Sequence, residues 1–296
     1  MSHTLKDWIL VTRPWSFPAS SMPVLVTLFW LFAHQIEMNW WLGLAALLNI
    51  ILVHAAGNAW SDYFDYKRGV DRDDTFGVKT LTSGQFTPQQ VMRLSIVLQM
   101  LAVAMGIAIV CLTGLTLLWI GLCGIALSLL YPPLKYAALG DVVIAICYSI
   151  LPMMGTSFIA SGTIQWPVLW LAVPVGLITI AILHSNNTRD IETDQRAHIK
   201  TFSMLTGRPF AAYVYYFELL FPYLWMLGIC AFGILSWWAM LCWLSLPLAM
   251  KNVKTMMQWR QKGLESYARL DEGTAQLQMA FSVTLMIGLV LTHFLS

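Results

Sequence analysis

Residues 41–65 read WLGLAALLNIILVHAAGNAWSDYFD. The first part, 41–60, is dominated by apolar side chains, and the stretch then ends on Asp62 and Asp65. A run of roughly 20 apolar residues is what a helix needs to cross about 30 Å of hydrocarbon. In lipid the backbone must satisfy its own hydrogen bonds, so the run predicts an α-helix. Asn58, Asp62 and Asp65 then fall at i, i+4 and i+7, on one face of a helix that continues out of the membrane.

The same kind of run recurs at 16–34, 91–113, 115–133, 141–161, 166–185, 210–229, 234–250 and 275–295. The expectation is an all-α integral membrane protein, a nine-transmembrane-helix bundle forming a single domain over 1–296. Short cytoplasmic helices and loops would cap its site. Composition agrees: 58% of residues are hydrophobic and 11% charged, and the mean hydropathy is +0.67. A soluble domain carries about 25% charged residues, so lipid must cover much of this surface. The first run is too long for a cleavable signal.

Charge orients the bundle. With nine spans and the N-terminus inside, all 17 Lys and Arg fall in cytoplasmic segments. That is the bias of the positive-inside rule, and it predicts an N-in, C-out chain in the inner (cytoplasmic) membrane. The five cysteines lie in or near spans, without metal-ligand spacing, and read as small packed hydrophobes. A net charge of +2 says little about partners.

Most polar residues gather in two loops, 62–90 and 186–209, on the same predicted side. The second opens with Asn186, Asp190 and Asp194, at i, i+4 and i+8, and so echoes the first. Four converging carboxylates would repel one another. Mg²⁺ resolves this, since it takes one or two carboxylates plus substrate phosphates. Lys67, Arg68, Arg72, Arg189, Arg196, Lys200 and Lys135 on that side suit a diphosphate. Asp71, Asp73 and Asp74 read equally as supporting groups or ordinary loop charges, and Glu192 points off the Asp190/Asp194 face. His54 and His184 are either acceptors of a proton or hydrogen-bonding groups inside the bundle, and Glu218 either orients an acceptor hydroxyl or is a structural hydrogen-bond partner.

These motifs resemble those of the UbiA superfamily of intramembrane prenyltransferases: Asn58…Asp62-Tyr-Phe-Asp65, Asp190-Ile-Glu-Thr-Asp194 and Tyr131-Pro-Pro-Leu-Lys135. Arg13-Pro14, the Asp65-Tyr-Lys-Arg-Gly69-Val-Asp71 run, Ser83-Gly84-Gln85 and Asn186-Asn187-Thr-Arg189-Asp190 look most like the MenA branch, the 1,4-dihydroxy-2-naphthoate polyprenyltransferases. The chain departs from that branch at His198, Phe202 and Asp141.

The resemblance implies Mg²⁺-dependent transfer of a polyprenyl group from its diphosphate to an aromatic acceptor. Asp62, Asp65, Asp190 and Asp194 would hold the metal. Asn58, Lys135 and Tyr131 would sit at the reacting end. Lys67, Arg68, Arg72, Arg189 and Lys200 would meet the diphosphate. Another acceptor, such as 4-hydroxybenzoate, keeps the same site. A secondary transporter for an anionic solute is a different class, and its site would lie nearer the midplane.

Overall fold

A computed structural model describes residues 3–76 and 79–295, except for the side chains of Arg260 and Tyr267. The described residues are helical throughout, apart from turns and one isolated bridge between Ala137 and Lys200. Among the described residues, eight helices are long and apolar enough to cross a membrane. They are α1 (Pro14–Ala33), α2 (Trp40–Arg68), α3 (Pro88–Thr113), α4 (Thr116–Lys135), α5 (Gly140–Ser161), α6 (Trp166–Arg189), α7 (Arg208–Ala231) and α8 (Leu264–Leu295).

Their ends carry local signals. The Asn39 side chain accepts from the Trp41 and Leu42 amides at the start of α2. Gly69 ends that helix in the left-handed conformation, φ 70°, which a glycine adopts without strain. Thr87 and Gln90 close a reciprocal cap on α3, with Pro88 in its first turn.

The expected run 234–250 is not one α-helix. It is a 3₁₀ stretch, Trp237–Ser245, that passes into a helix, Leu246–Met257. Pro247 lacks the N–H that would reach back to the Trp243 carbonyl, so an α-helix cannot run through this point unbroken. The stretch is also pressed against α8: a Cβ on Gly288 would sit 2.2 Å from the Trp238 carbonyl oxygen. Between membrane helices, association rests on close packing rather than on a hydrophobic drive, and a glycine permits it here.

The packing is uneven. The largest core joins α1, α6, α7 and α8 through Trp30, Ile178, Leu219, Tyr223, Phe281 and Leu285. By contrast α3 and α4 bury only 11% of their apolar windows, against 50% for α5 and α6. The bundle is therefore solid on one side and thin-walled on the other. A cavity of about 1220 Å³ lies within it, reached by residues of every helix from α1 to α6 and by the start of α8.

Candidate active site

The cavity is apolar along most of its length and polar at one end. On its α4 wall, Gly121, Gly124, Ser128, Tyr131 and Lys135 follow one helical face, from bare backbone to a cation. The α2 wall runs likewise from Ala46 and Ile50 through His54 and Asn58 to Asp65. Helix geometry thus brings both walls to the same polar end.

Each acidic residue there has its own environment. Asp62 is 3% exposed and paired with Arg13, a residue held in the left-handed region at φ 53° just before α1. Arg13 is among the cavity-lining residues and its partner Asp62 is not. Asn58 donates to the Thr12 carbonyl at 2.9 Å and to the Ser16 hydroxyl at 3.0 Å, fastening the same N-terminal segment to α2. Asp65 accepts from Lys135 Nζ at 2.9 Å, from the Tyr136 hydroxyl at 2.7 Å and from the Ser61 hydroxyl at 3.2 Å.

The second motif spans the end of α6. The helix closes at Arg189, and a short helix, Ile191–Arg196, follows. Amide bonds from Asp190 to Asn186 and from Asp194 to Asp190 carry the i→i−4 spacing across the break, so both carboxylates still meet the cavity. Arg189 grips Asp190 with two bonds of 2.8 and 2.7 Å, donates to the Ala268 carbonyl at 2.8 Å and lies over the Phe76 ring.

Asp194 is 5% exposed, and its carboxylate has no hydrogen-bond or ion-pair partner among the described residues. Burial pushes its carboxyl up to about 7; Asp190 and Asp65 add to the shift, and Lys135 opposes it. The buried Asn186 Oδ1 likewise has no partner. Burial and Asp65 also raise Asp71, which lines the same end.

These unpartnered oxygens bear on a metal. Among the described residues no group of three or more His, Cys, Asp or Glu stands ready-assembled for an ion. The donors are nonetheless hard oxygens at the polar mouth, one of them a buried, unneutralised carboxylate. That suits Mg²⁺ arriving with a phosphate that completes its shell.

The other expected site residues divide. Tyr131, Lys135 and Arg189 line the cavity with the acids. Lys67, Arg68, Arg72 and Lys200 are exposed and lie outside its lining. Lys67 sits over Tyr63, Arg68 over Tyr136, and Arg72 donates to the Gly69 carbonyl. Lys200 joins the site through its backbone, which pairs with Tyr136 and Ala138.

His54 has both ring nitrogens beside serine hydroxyls, Ser20 at 2.8 Å and Ser16 at 3.3 Å. His184 faces Glu218 at 3.1 Å, away from the cavity lining. Glu192 pairs with Arg208, whose hydrogen bonds hold its carboxyl below the usual range. Asp74 pairs with Arg196 at 2.7 Å.

Sequence reading did not single out Arg13 or Tyr136 as site residues. The signal for Arg13 was its place beside Pro14 at the entry to α1; Tyr136 carried none beyond adjoining Lys135.

A membrane bundle whose cavity ends in two aspartate motifs and matching cations defines an enzyme class that handles greasy diphosphates. A family model described as "UbiA prenyltransferase family" matches residues 20–271. The chain belongs to that family and is a multi-pass membrane prenyltransferase. It is 33% identical to "UbiA prenyltransferase domain-containing protein 1" of Mus musculus, over 98% of this chain and 85% of that one. It is 28% identical to "1,4-dihydroxy-2-naphthoate octaprenyltransferase" of Bacillus subtilis, over 96% of this chain and 92% of that one. In fold it resembles a solved UbiA homolog from Archaeoglobus fulgidus bound to DMAPP and Mg²⁺, with TM-score 0.61, 12% identity, and 95% and 99% of the two chains covered.

Proposed function

We propose that this protein transfers a polyprenyl group from a polyprenyl diphosphate to 1,4-dihydroxy-2-naphthoate, with release of diphosphate and CO₂, as a step of menaquinone biosynthesis. The observation that carries the transfer reading is the polarity of the cavity. Its long apolar wall suits a prenyl chain, and its one charged end, with Lys135, Arg189 and the buried, unpartnered Asp194, suits a metal-bound diphosphate. The Bacillus subtilis relative supports the choice of acceptor.

Asp65, Asp190 and Asp194, and Asp62 once Arg13 leaves it, would hold Mg²⁺, which neutralises charge on the leaving diphosphate. Lys135, Arg189 and Arg13 bind the diphosphate oxygens and orient C1 into the cavity. Lys67, Arg68, Arg72 and Lys200 on the adjoining loops draw the anion in rather than grip it. Asn58 holds the N-terminal segment in place beside C1, and Tyr131 borders the reacting carbons. The C1–O bond breaks and its electron pair leaves with the diphosphate. An acceptor ring carbon then bonds to C1, and CO₂ leaves that carbon in place of a proton. The apolar wall keeps water from the cation.

In the membrane, we place the N-terminus inside and count the run 234–250 as a ninth crossing, in an inner membrane with the charged end facing the cytoplasm. The Lys and Arg distribution supports this. Mass spectrometry of products from a panel of aromatic acceptors and polyprenyl diphosphates tests the assignment. Prenylated, decarboxylated naphthoquinol is expected; product from 4-hydroxybenzoate alone would overturn the acceptor.

A further inference from the structure

Midway along α5 the backbone widens into one π-helical turn, Ile146–Ile150, closed by a bond from the Leu151 amide to the Ile146 carbonyl. The cause is local. Pro152 has no N–H for the Tyr148 carbonyl four residues back, and its ring crowds that oxygen. An extra residue in the turn relieves both, and such turns are frequent at functional sites.

The turn has two faces. Ser149, 1% exposed, donates to the Ala172 carbonyl of α6 at 2.7 Å. Gly176 makes room for it, because a Cβ there would lie 2.8 Å from Ser149 Oγ. With Ser149 pinned on α6, Cys147, Tyr148 and Leu151 line the cavity. The Tyr148 ring packs edge-on against His54, with centroids 4.8 Å apart and planes at 75°. Its hydroxyl has no hydrogen-bond partner among the described residues.

Depth decides what this ring meets. His54 lies one helical turn before Asn58, and Tyr131 one turn before Lys135. Tyr131 therefore borders the cavity about 6 Å inside Lys135, while His54, about three turns inside Asp65, sits beside Ser16 of the segment whose Arg13 pairs with Asp62, and Tyr148 lines the cavity against it. A diphosphate held by Lys135, Arg13 and the aspartates directs C1, to which it is bonded, into the stretch of cavity that Tyr131 and Tyr148 line.

We propose that Tyr148 is a catalytic residue whose ring stabilises the allylic cation. As the C1–O bond breaks and the electron pair leaves on the diphosphate, positive charge spreads over C1 and C3, within reach of the negative face of the ring. His54 is the wall against which that ring is set: both its nitrogens are engaged by serine hydroxyls. The proposal rests on the prenyl-transfer reading, and the π turn is what brings the ring to the cavity.

The test compares Tyr148→Phe, Tyr148→Leu and position 148 carrying pentafluorophenylalanine. Two rates are followed in the full-length protein in detergent with Mg²⁺. One is transfer to the acceptor. The other is acceptor-free solvolysis, in which water adds to the cation and yields prenyl alcohol, diphosphate and a proton.

Tyr148→Phe should stay within about threefold of wild type, since the ring remains. Tyr148→Leu and the fluorinated ring should lower kcat for both rates roughly 30-fold, with donor KM within about threefold. The fluorinated ring keeps shape and packing, so a loss there is not a folding effect. Unchanged kcat in the fluorinated protein, or an equal loss in Tyr148→Phe, would overturn the proposal. So would a loss confined to transfer, which would assign the ring to the acceptor. Wild-type solvolysis without aromatic transfer would instead defeat the acceptor reading and leave the Tyr148 comparison readable.

Discussion

Arg13, a cavity-lining residue, is paired with the buried Asp62, and this makes a prediction with two opposite signs. For Asp62 to bind a metal ion, the pair must open. A hydrogen bond between charged groups contributes about 1.5–3 kcal/mol. The Arg13 side chain is 29% exposed and that of Asp62 only 4%, so the lower figure applies. Replacing Arg13 by Gln removes that cost and also the repulsion between guanidinium and cation. Binding of Mg²⁺ alone should therefore tighten about tenfold. Binding of the prenyl diphosphate should weaken, because a cation that meets its oxygens is lost, and donor KM should rise at least tenfold. The first quantity is read by Mg²⁺ titration of the donor-free protein, by calorimetry or thermal shift, and the second by steady-state kinetics. If Arg13→Gln bound Mg²⁺ no better than wild type, Arg13 would not be holding Asp62 away from the metal.

Three further outcomes follow from the same geometry. Asp194→Asn should abolish transfer, by about a thousandfold or more, and remove Mg²⁺-dependent thermal stabilisation while leaving the apo protein at least as stable, since an unpaired buried charge is gone; an unaltered rate would remove Asp194 from the site. Gly124→Leu should put a side chain into the bare stretch of the α4 wall, where a Cβ meets nothing within 4 Å; product analysis should show transfer from short-chain donors kept and from long-chain donors lost. Glu218→Leu leaves His184 buried without its partner and should cost about 3 kcal/mol, seen as a lower midpoint of thermal unfolding, whereas Glu218→Gln should recover most of it.

Much of this was readable in the sequence because membrane helices announce themselves by length and by what flanks them. The seven spans from α2 onward that formed had apolar runs bounded by caps, prolines or charges, as at Asn39, Thr87 and Gly69. Asp62 is taken up by Arg13 and lies outside the cavity lining, but the facing of Asn58 and Asp65 followed from spacing alone. So did that of Asn186, Asp190 and Asp194, although the helix breaks at Asp190, because the amide bonds keep the same count across the break. The partners were not readable. Arg13 reaches Asp62 across 49 positions, and Lys135 reaches Asp65 across 70; spacing within one helix says nothing of such pairs. Nor did hydropathy distinguish the 3₁₀ stretch Trp237–Ser245 from a regular span, since it registers how apolar a segment is and not how tightly its backbone winds. The π turn at Ile146–Ile150 had a cue in Pro152, but a proline in a membrane helix more often means a simple kink.

Arg189 gives the charged end a mechanical character. One guanidinium is clamped to Asp190, tied to the chain at Ala268 and laid over Phe76. It is a joint shared by three stretches of polypeptide far apart in sequence. An anion that drew this side chain off Asp190 would load the loop after α2 and the entry to α8 in the same stroke, at the rim of the protein as well as in its depths. Protease sensitivity of those two loops, measured with and without inorganic diphosphate and Mg²⁺, would report that strain from outside.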